Sequence, residues 1–268
     1  MKISVITVCR NAAEDLLLTA KSVVAQENCD LEYIIVDGAS TDNTQKVIRE
    51  IEEKCVARNI VLKWISEPDN GIYDAMNKGT KMASGDFVCY MNAGDTFAAN
   101  DVVKRVCELP EMAENDVIYG SVIQKFDFGN VEIRPAALTK LQKKMAFCHQ
   151  SCFIRTDILK AHPYNLQYPL AADYELVYWC YTHKKIFLRV DFPIACFESE
   201  KGASSKNRLQ LNREFARISG RYSTWKWRFE YVGKCLEVGF NKLYRSLIPK
   251  SQSRALREKN YRRIQQNR

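Results

Sequence analysis

Residues 3–9 (ISVITVC) form a continuous apolar, largely β-branched run, and apolar positions across 13–26 recur at helical spacing. A second apolar run at 32–36 stops at Asp37-Gly38, where turn residues take over. Thr41 and Asp42 then precede a helical pattern that reaches about residue 58, and either can accept hydrogen bonds from its first amides. Residues 60–66 predict a third strand, 72–83 a helix and 86–91 (DFVCYM) a fourth strand. A strand with one wet face alternates polar and apolar residues. Strands apolar throughout, alternating with helices, belong in a parallel sheet covered on both faces. The predicted class is α/β, with a mostly parallel central sheet.

In such sheets ligands sit beyond the carboxyl ends of the strands. The residues there are polar or acidic: Asn11, Asp37, Glu67-Pro68-Asp69-Asn70-Gly71 and Asn92-Ala93-Gly94-Asp95. Four polar clusters are expected to share one rim. A helix is predicted near 99–108. Beyond about 115 the pattern loosens into strands at 117–124, 131–134, 152–155 and 186–190, with helices near 138–146, 156–161 and 172–183. This half is expected to be more mixed and to shape a second pocket. Two further helices are predicted from about Asn207.

Composition adds a segregation of charge. The chain has 268 residues, 46% hydrophobic and 27% charged, which excludes a disordered or collagenous protein. Residues 1–200 hold 22 Lys and Arg against 28 Asp and Glu, whereas residues 201–268 hold 18 against 4. A strongly basic tail on an acidic body points to a polyanion, either nucleic acid or an anionic membrane. Within it Trp225, Phe229, Val232, Leu236, Phe240, Leu243 and Leu247 mark one helical face, with Lys226, Arg228, Lys234, Lys242 and Arg245 between them. That pattern fits a helix lying in a membrane interface, or one packed on the body. Arg254, Arg257, Lys259, Arg262 and Arg263 extend the charge. The ten cysteines are scattered without a CxxC pair, so reduced thiols and a cytoplasmic setting are expected. The first apolar run is too short for a signal peptide, and no stretch approaches the roughly 18 residues of a span.

No G-x-G-x-x-G or Walker-type loop follows the first strand, so dinucleotide and P-loop sites lack their phosphate cradle. An acidic rim can hold a diphosphate only through a divalent cation, Mg²⁺ or Mn²⁺, taking oxygens from both.

SVITVCRN, YIIVDGASTDNT, EPDNGIYDAMNKGTKMASGD and FVCYMNAGD, in this order, resemble the successive motifs of family 2 inverting glycosyltransferases with the GT-A fold. The DNGIYDAMNKG form is most similar to bacterial enzymes of exopolysaccharide and capsule synthesis, the colanic-acid type among them. The resemblance covers about residues 1–200. It implies a GT-A domain with a nucleotide-sugar half (1–115) and an acceptor half (116–200), followed by a loop and a basic helical tail (201–268).

The resemblance further implies nucleotide-sugar contacts at Thr7, Asn11, Asp37, Asp69, Asn77, Lys78, Asn92 and Lys201, a metal at Asp95, and an acceptor side at His149, Gln150 and Glu175. Asp37 matches the aspartate that recognises the base, and Asp173 in ADYEL the general base. Two positions depart from the family: Met76 stands where many members carry Arg, and Asn92-Ala-Gly-Asp95 replaces an Asp-x-Asp. Taken without the resemblance, several of these are turn or capping residues. Glu175, two residues beyond Asp173 on a helix, faces another way. The implied enzyme is cytoplasmic and peripheral to the inner face of the plasma membrane, moving a sugar from a UDP-sugar to a lipid-linked or growing glycan. The alternatives are a sugar nucleotidyltransferase, which should carry a Gly-rich triphosphate loop after the first strand, and a nucleic-acid-binding protein using the tail, which leaves the acidic rim without a role.

Overall fold

The computed structural model describes residues 1–126, 128–198, 207–247 and 258. Four parallel strands, β1 (Lys2–Cys9), β2 (Asp30–Asp37), β3 (Val61–Ser66) and β4 (Phe87–Tyr90), lie in the spatial order β3-β2-β1-β4. They are linked by α1 (Ala13–Val24), α2 (Thr44–Ala57) and α3 (Ile72–Met82). Ile3 and Val5 of β1 face one core with Leu16 and Val23 of α1 and Ile48 and Ile51 of α2. Ile6 and Val8 face a second core with Tyr73 and Met76 of α3. Both faces of β1, β2 and β4 are dry, which is why these strands show no alternation, while β3 at the sheet edge is only partly buried.

Past β4 the sheet becomes mixed. The elements are β5 (Thr96–Phe97), α4 (Val102–Cys107), β6 (Val117–Phe126), β7 (Gly129–Ile133), β8 (Cys152–Arg155), α5 (Thr156–Ala161), α6 (Ala172–Thr182) and β9 (Phe187–Glu198). The full order is β3-β2-β1-β4-β8-β6-β9-β5, with β7 paired to β6. β8 runs antiparallel to both β4 and β6, and β9 runs parallel to β6 across an irregular register. The helix predicted near 138–146 is only a 3-10 turn, Leu138–Gln142, since Ala136 and Ala146 close the segment into a loop. β5 and the outer half of β9, broken in pattern by Pro193, were not predicted.

Beyond residue 206, α7 (Arg208–Ile218) packs on α6, with Phe215 4.5 Å from the Tyr174 ring and Ala216 fully buried. Glu214 accepts from the Leu170 amide at 3.0 Å, and Arg221 donates to the Lys143 carbonyl at 2.8 Å. The change of composition near 200 is therefore not a packing boundary. α8 (Trp225–Leu247) uses one side to dock: Trp227 is buried between Tyr222 and Tyr231, and Lys234 donates to Asn212 at 3.0 Å. On its opposite side Trp225 and Phe229 are 79% and 80% exposed, and Val232 and Leu236 continue that stripe. Among the described residues no helix is long and apolar enough to cross a membrane.

Candidate active site

Register carries the site. Cys9 lies opposite Asp37, and Asp37 opposite Ser66, so the loops leaving β1, β2 and β3 emerge at one rim. Asn11 leaves β1 in the left-handed region (φ 49°), and its side chain accepts from the Thr41 amide at 2.8 Å, tying the first loop to the second. Asp37 is turned inward. It is fully buried and accepts from the Ser40 hydroxyl, the Ser40 amide at 3.1 Å and the Ser66 hydroxyl at 2.6 Å. Every donor it meets belongs to its own rim, so Asp37 ties the loops leaving β2 and β3 together.

Asp69 is the acid that reaches the partly open rim. Its Oδ1 accepts from the Gly71 amide at 2.9 Å, and its Oδ2 lies against Gly38, where an added Cβ would stand 2.2 Å away. A Cβ here would displace the Asp69 carboxylate, so glycine lets that carboxylate sit against the VDG loop. Lys78 fastens the second of these loops: Nζ sits 2.8 Å from Glu67 and donates to the Pro68 carbonyl at 2.6 Å. Its pKa is raised, chiefly by the Glu67 hydrogen bond. Asn77 clasps the Tyr164 backbone through both amide atoms at 2.9 Å. Thr7 is fully buried, donating to the Met91 carbonyl at 2.7 Å and lying 3.0 Å from the Tyr33 hydroxyl. Lys78, Asn77 and Thr7 thus each hold internal partners that brace the rim. Lys201 lies outside the described residues.

The turn after β4 is different. Asp95 donates its amide to the Asn92 carbonyl at 2.9 Å, and Gly94, at φ 96°, allows the chain to reverse. Asn92 Oδ1 is buried without a partner, while its Nδ2 lies 3.1 Å from His149 Nε2. Asp95 is 9% exposed and its pKa is pushed up to about 6 by burial, with Asp15 adding to the rise and His149 and Gln150 opposing it. A buried carboxylate with a raised pKa and an orphaned amide oxygen in one turn are hard oxygen donors of the kind a divalent cation takes. Among the described residues no three His, Cys, Asp or Glu side chains gather around one point. The donor set fits a cation that draws its remaining oxygens from phosphate and water.

Across from this turn the 3-10 segment His149–Ser151 and the first turn of α6 bring in the second half of the site. His149 Nδ1 lies 3.4 Å from Asp173 Oδ2. Burial alone lowers the His149 pKa, but the hydrogen bond and charge of Asp173 and the charge of Asp95 leave it above its usual value. Asp173 is the converse: burial raises it, and His149, the Tyr73 hydroxyl and the Tyr174 amide hold it below the ordinary carboxylate value. Glu175 points elsewhere, both carboxylate oxygens 3.2 Å from His162, whose ring stacks on Trp179.

The structure thus joins Asn92, Asp95, His149, Gln150 and Asp173, and separately Asn11, Asp37 and Asp69 along the same rim. Glu175 belongs to neither group. Sequence reasoning missed Ser40, Ser66, Tyr73 and Asp15. Tyr73 lay inside a quoted motif but looked like a core aromatic.

The chain matches the Glycosyl transferase family 2 model over residues 4–162. It is 30% identical over 207 residues to a PGL/p-HBAD biosynthesis glycosyltransferase of Mycobacterium bovis, covering 75% of this chain and 78% of that one. It is 33% identical over 182 residues to an uncharacterized glycosyltransferase of Mycobacterium tuberculosis, covering 65% and 67%. Its fold resembles the mannosyltransferase PcManGT from Pyrobaculum calidifontis in complex with GDP-Man and Mn²⁺ (TM-score 0.64, 15% identity, 98% of this chain and 82% of that one). It also resembles S. aureus TarS 1-349 in complex with UDP-GlcNAc (TM-score 0.61, 17% identity, 81% and 66%), and spans 39% of the longer TarS chain. The α/β sheet with its carboxyl-end rim is a glycosyltransferase GT-A fold, and the chain belongs to glycosyl transferase family 2.

Proposed function

We propose that this glycosyltransferase moves one sugar, with inversion, from a UDP-sugar to a lipid-linked glycan at a membrane surface. The observation that carries the reading is the line of polar contacts from the Asn92–Asp95 turn through His149 to Asp173, which supports Asp173 as a base beside a cation-fitting turn. Asp173 takes the proton of the acceptor hydroxyl while that oxygen attacks the anomeric carbon and the bond to the diphosphate breaks. No covalent enzyme intermediate is required. The Gly38/Asp69 contact shapes the nucleoside end, and Asn11 and Asp37 brace it. Asp95, with Asn92 Oδ1, would hold Mg²⁺ or Mn²⁺, whose charge offsets that building on the leaving diphosphate.

A nucleoside-diphosphate-sugar donor draws support from TarS and PcManGT, in complex with UDP-GlcNAc and GDP-Man respectively, and TarS favours uridine. The acceptor choice draws support from the open apolar stripe of α8 and from the 18 basic residues beyond 200, a pairing suited to anionic lipid. The motif form favours exopolysaccharide or capsule synthesis, whereas the Mycobacterium bovis relative is named for PGL/p-HBAD biosynthesis. Family membership favours glycosyl transfer over nucleotidyl transfer.

Asp173→Asn tests the chemistry: transfer should disappear while nucleotide binding persists, and retained turnover would remove Asp173 as base. Deleting residues after 222 tests attachment. The truncated chain should leave anionic vesicles, and equal binding would remove the tail's role.

A further inference from the structure

We propose that Tyr73 is a positioning residue for the base, saturating one carboxylate oxygen of Asp173 so that proton abstraction is confined to the other, Oδ2. The inference rests on Asp173 being the base. Oδ1 accepts from the Tyr73 hydroxyl at 2.9 Å and from the Tyr174 amide at 2.8 Å. Among the described residues Oδ2 faces His149 Nδ1, at 3.4 Å, longer than a well-formed N–H···O bond. An oxygen engaged by two donors gains a further proton only by giving up a partner, whereas Oδ2 keeps accepting capacity.

Tyr73 keeps its proton and so remains a donor to Asp173. It is 8% exposed, and burial first, then the charge of Asp173, pushes its phenol well above the usual value. Its ring packs on Tyr164 at a centroid distance of 5.2 Å. Tyr164 is in turn clasped by Asn77, one turn along α3 from Tyr73. The α3 segment of EPDNGIYDAMNKG therefore begins at the nucleoside-facing loop and ends by fixing the base. In the reaction the acceptor O–H proton passes to Oδ2 as the C–O bond forms and the bond to the diphosphate breaks, and Tyr73 keeps its own proton throughout. The titratable groups around Asp173 are His149 from the 3-10 turn, Tyr73 from α3, Tyr164 from the loop before α6 and Cys152 from β8.

The test is a ¹³C carboxyl titration of the full chain labelled at aspartate, with the Asp173 resonance assigned by its loss in Asp173→Asn. Tyr73→Phe keeps the ring and removes the donor, and should raise the Asp173 pKa by about one or more, a tenfold change in proton affinity. 3-Fluorotyrosine at position 73 is a stronger donor and should lower it. Effects of opposite sign cannot come from altered packing alone, and the fluorinated protein decides the matter if Tyr73→Phe folds poorly. An Asp173 pKa unmoved by either change overturns the proposal. Turnover by Asp173→Asn would instead overturn the base assignment beneath it.

Discussion

At the amino end of the parallel sheet Glu32 is fully buried, and at the carboxyl end Asp95 is nearly so, at 9% exposed. Glu32 accepts from the Ser4 hydroxyl at 2.6 Å and from the Ser84 amide and hydroxyl, and meets Lys2 at 3.1 Å and Lys63 at 2.9 Å. Burial alone would raise its pKa, but these donors hold it far below the ordinary range. Asp95 has no such cage, and burial pushes it up to about 6. One acid is spent on holding β1, β2, β3 and the turn before β4 together. The other keeps a raised pKa beside the unpartnered Asn92 Oδ1, and a buried polar atom left without a partner marks a place where a ligand completes the set. The two ends of one sheet thus divide stability from chemistry.

The largest effect that sharpens this division is on catalysis. Asp173→Asn should lower transfer by about 10³-fold, read as kcat, and leave nucleoside diphosphate affinity within about twofold. Next comes stability at the other end: Glu32→Gln should cost about 3 kcal/mol in urea unfolding at pH 7, since Lys2 and Lys63 lose their common partner. Because the Glu32 pKa is lowered by folding, this loss should shrink as pH falls below the unfolded value of about 4.5.

Asp95→Asn should do the reverse. Its pKa is raised on folding, so ionisation costs stability progressively as pH rises from 3.8 to about 6. The variant should be more stable than the parent by on the order of 2 kcal/mol at pH 7 and equal to it at pH 3.5, while losing metal-dependent nucleotide binding. If Asp95→Asn destabilises at pH 7, the comparison between the two ends fails. Gly38→Ala, forcing a Cβ toward Asp69 Oδ2, should weaken nucleotide binding about tenfold, seen by calorimetry. The smallest effect belongs to the tail: Trp225→Ser with Phe229→Ser should reduce partition into anionic vesicles with fold stability unchanged, because both rings are already exposed.

The parallel half was legible because β1, β2 and β4 are buried on both faces and each strand ends in a turn-forming acid or amide. The mixed half was less so. β5 is two residues long, β9 contains Pro193, and α7 hides Leu211, Phe215 and Ile218 in a segment whose composition reads as a charged tail. Motifs located the acids but not their orientation. Asp37 and Asp69 each follow a strand, yet only the hydrogen bonds of Ser40 and Ser66 turn Asp37 inward. Asn77 and Lys78 carry site-like chemistry that the fold uses internally, and Tyr73 carries core-like chemistry that reaches Asp173.

The central claim is that the rim of β1 to β4 is a metal-assisted nucleotide-sugar site served by a separate base. Isothermal titration of the full chain with UDP, GDP, CDP and TDP, each with and without Mn²⁺, addresses it most directly. The structure predicts Mn²⁺-dependent binding of UDP that survives Asp173→Asn and is lost in Asp95→Asn. Absence of binding by all four nucleotides with Mn²⁺ present, or UDP binding indifferent to Mn²⁺ and to Asp95, would contradict it.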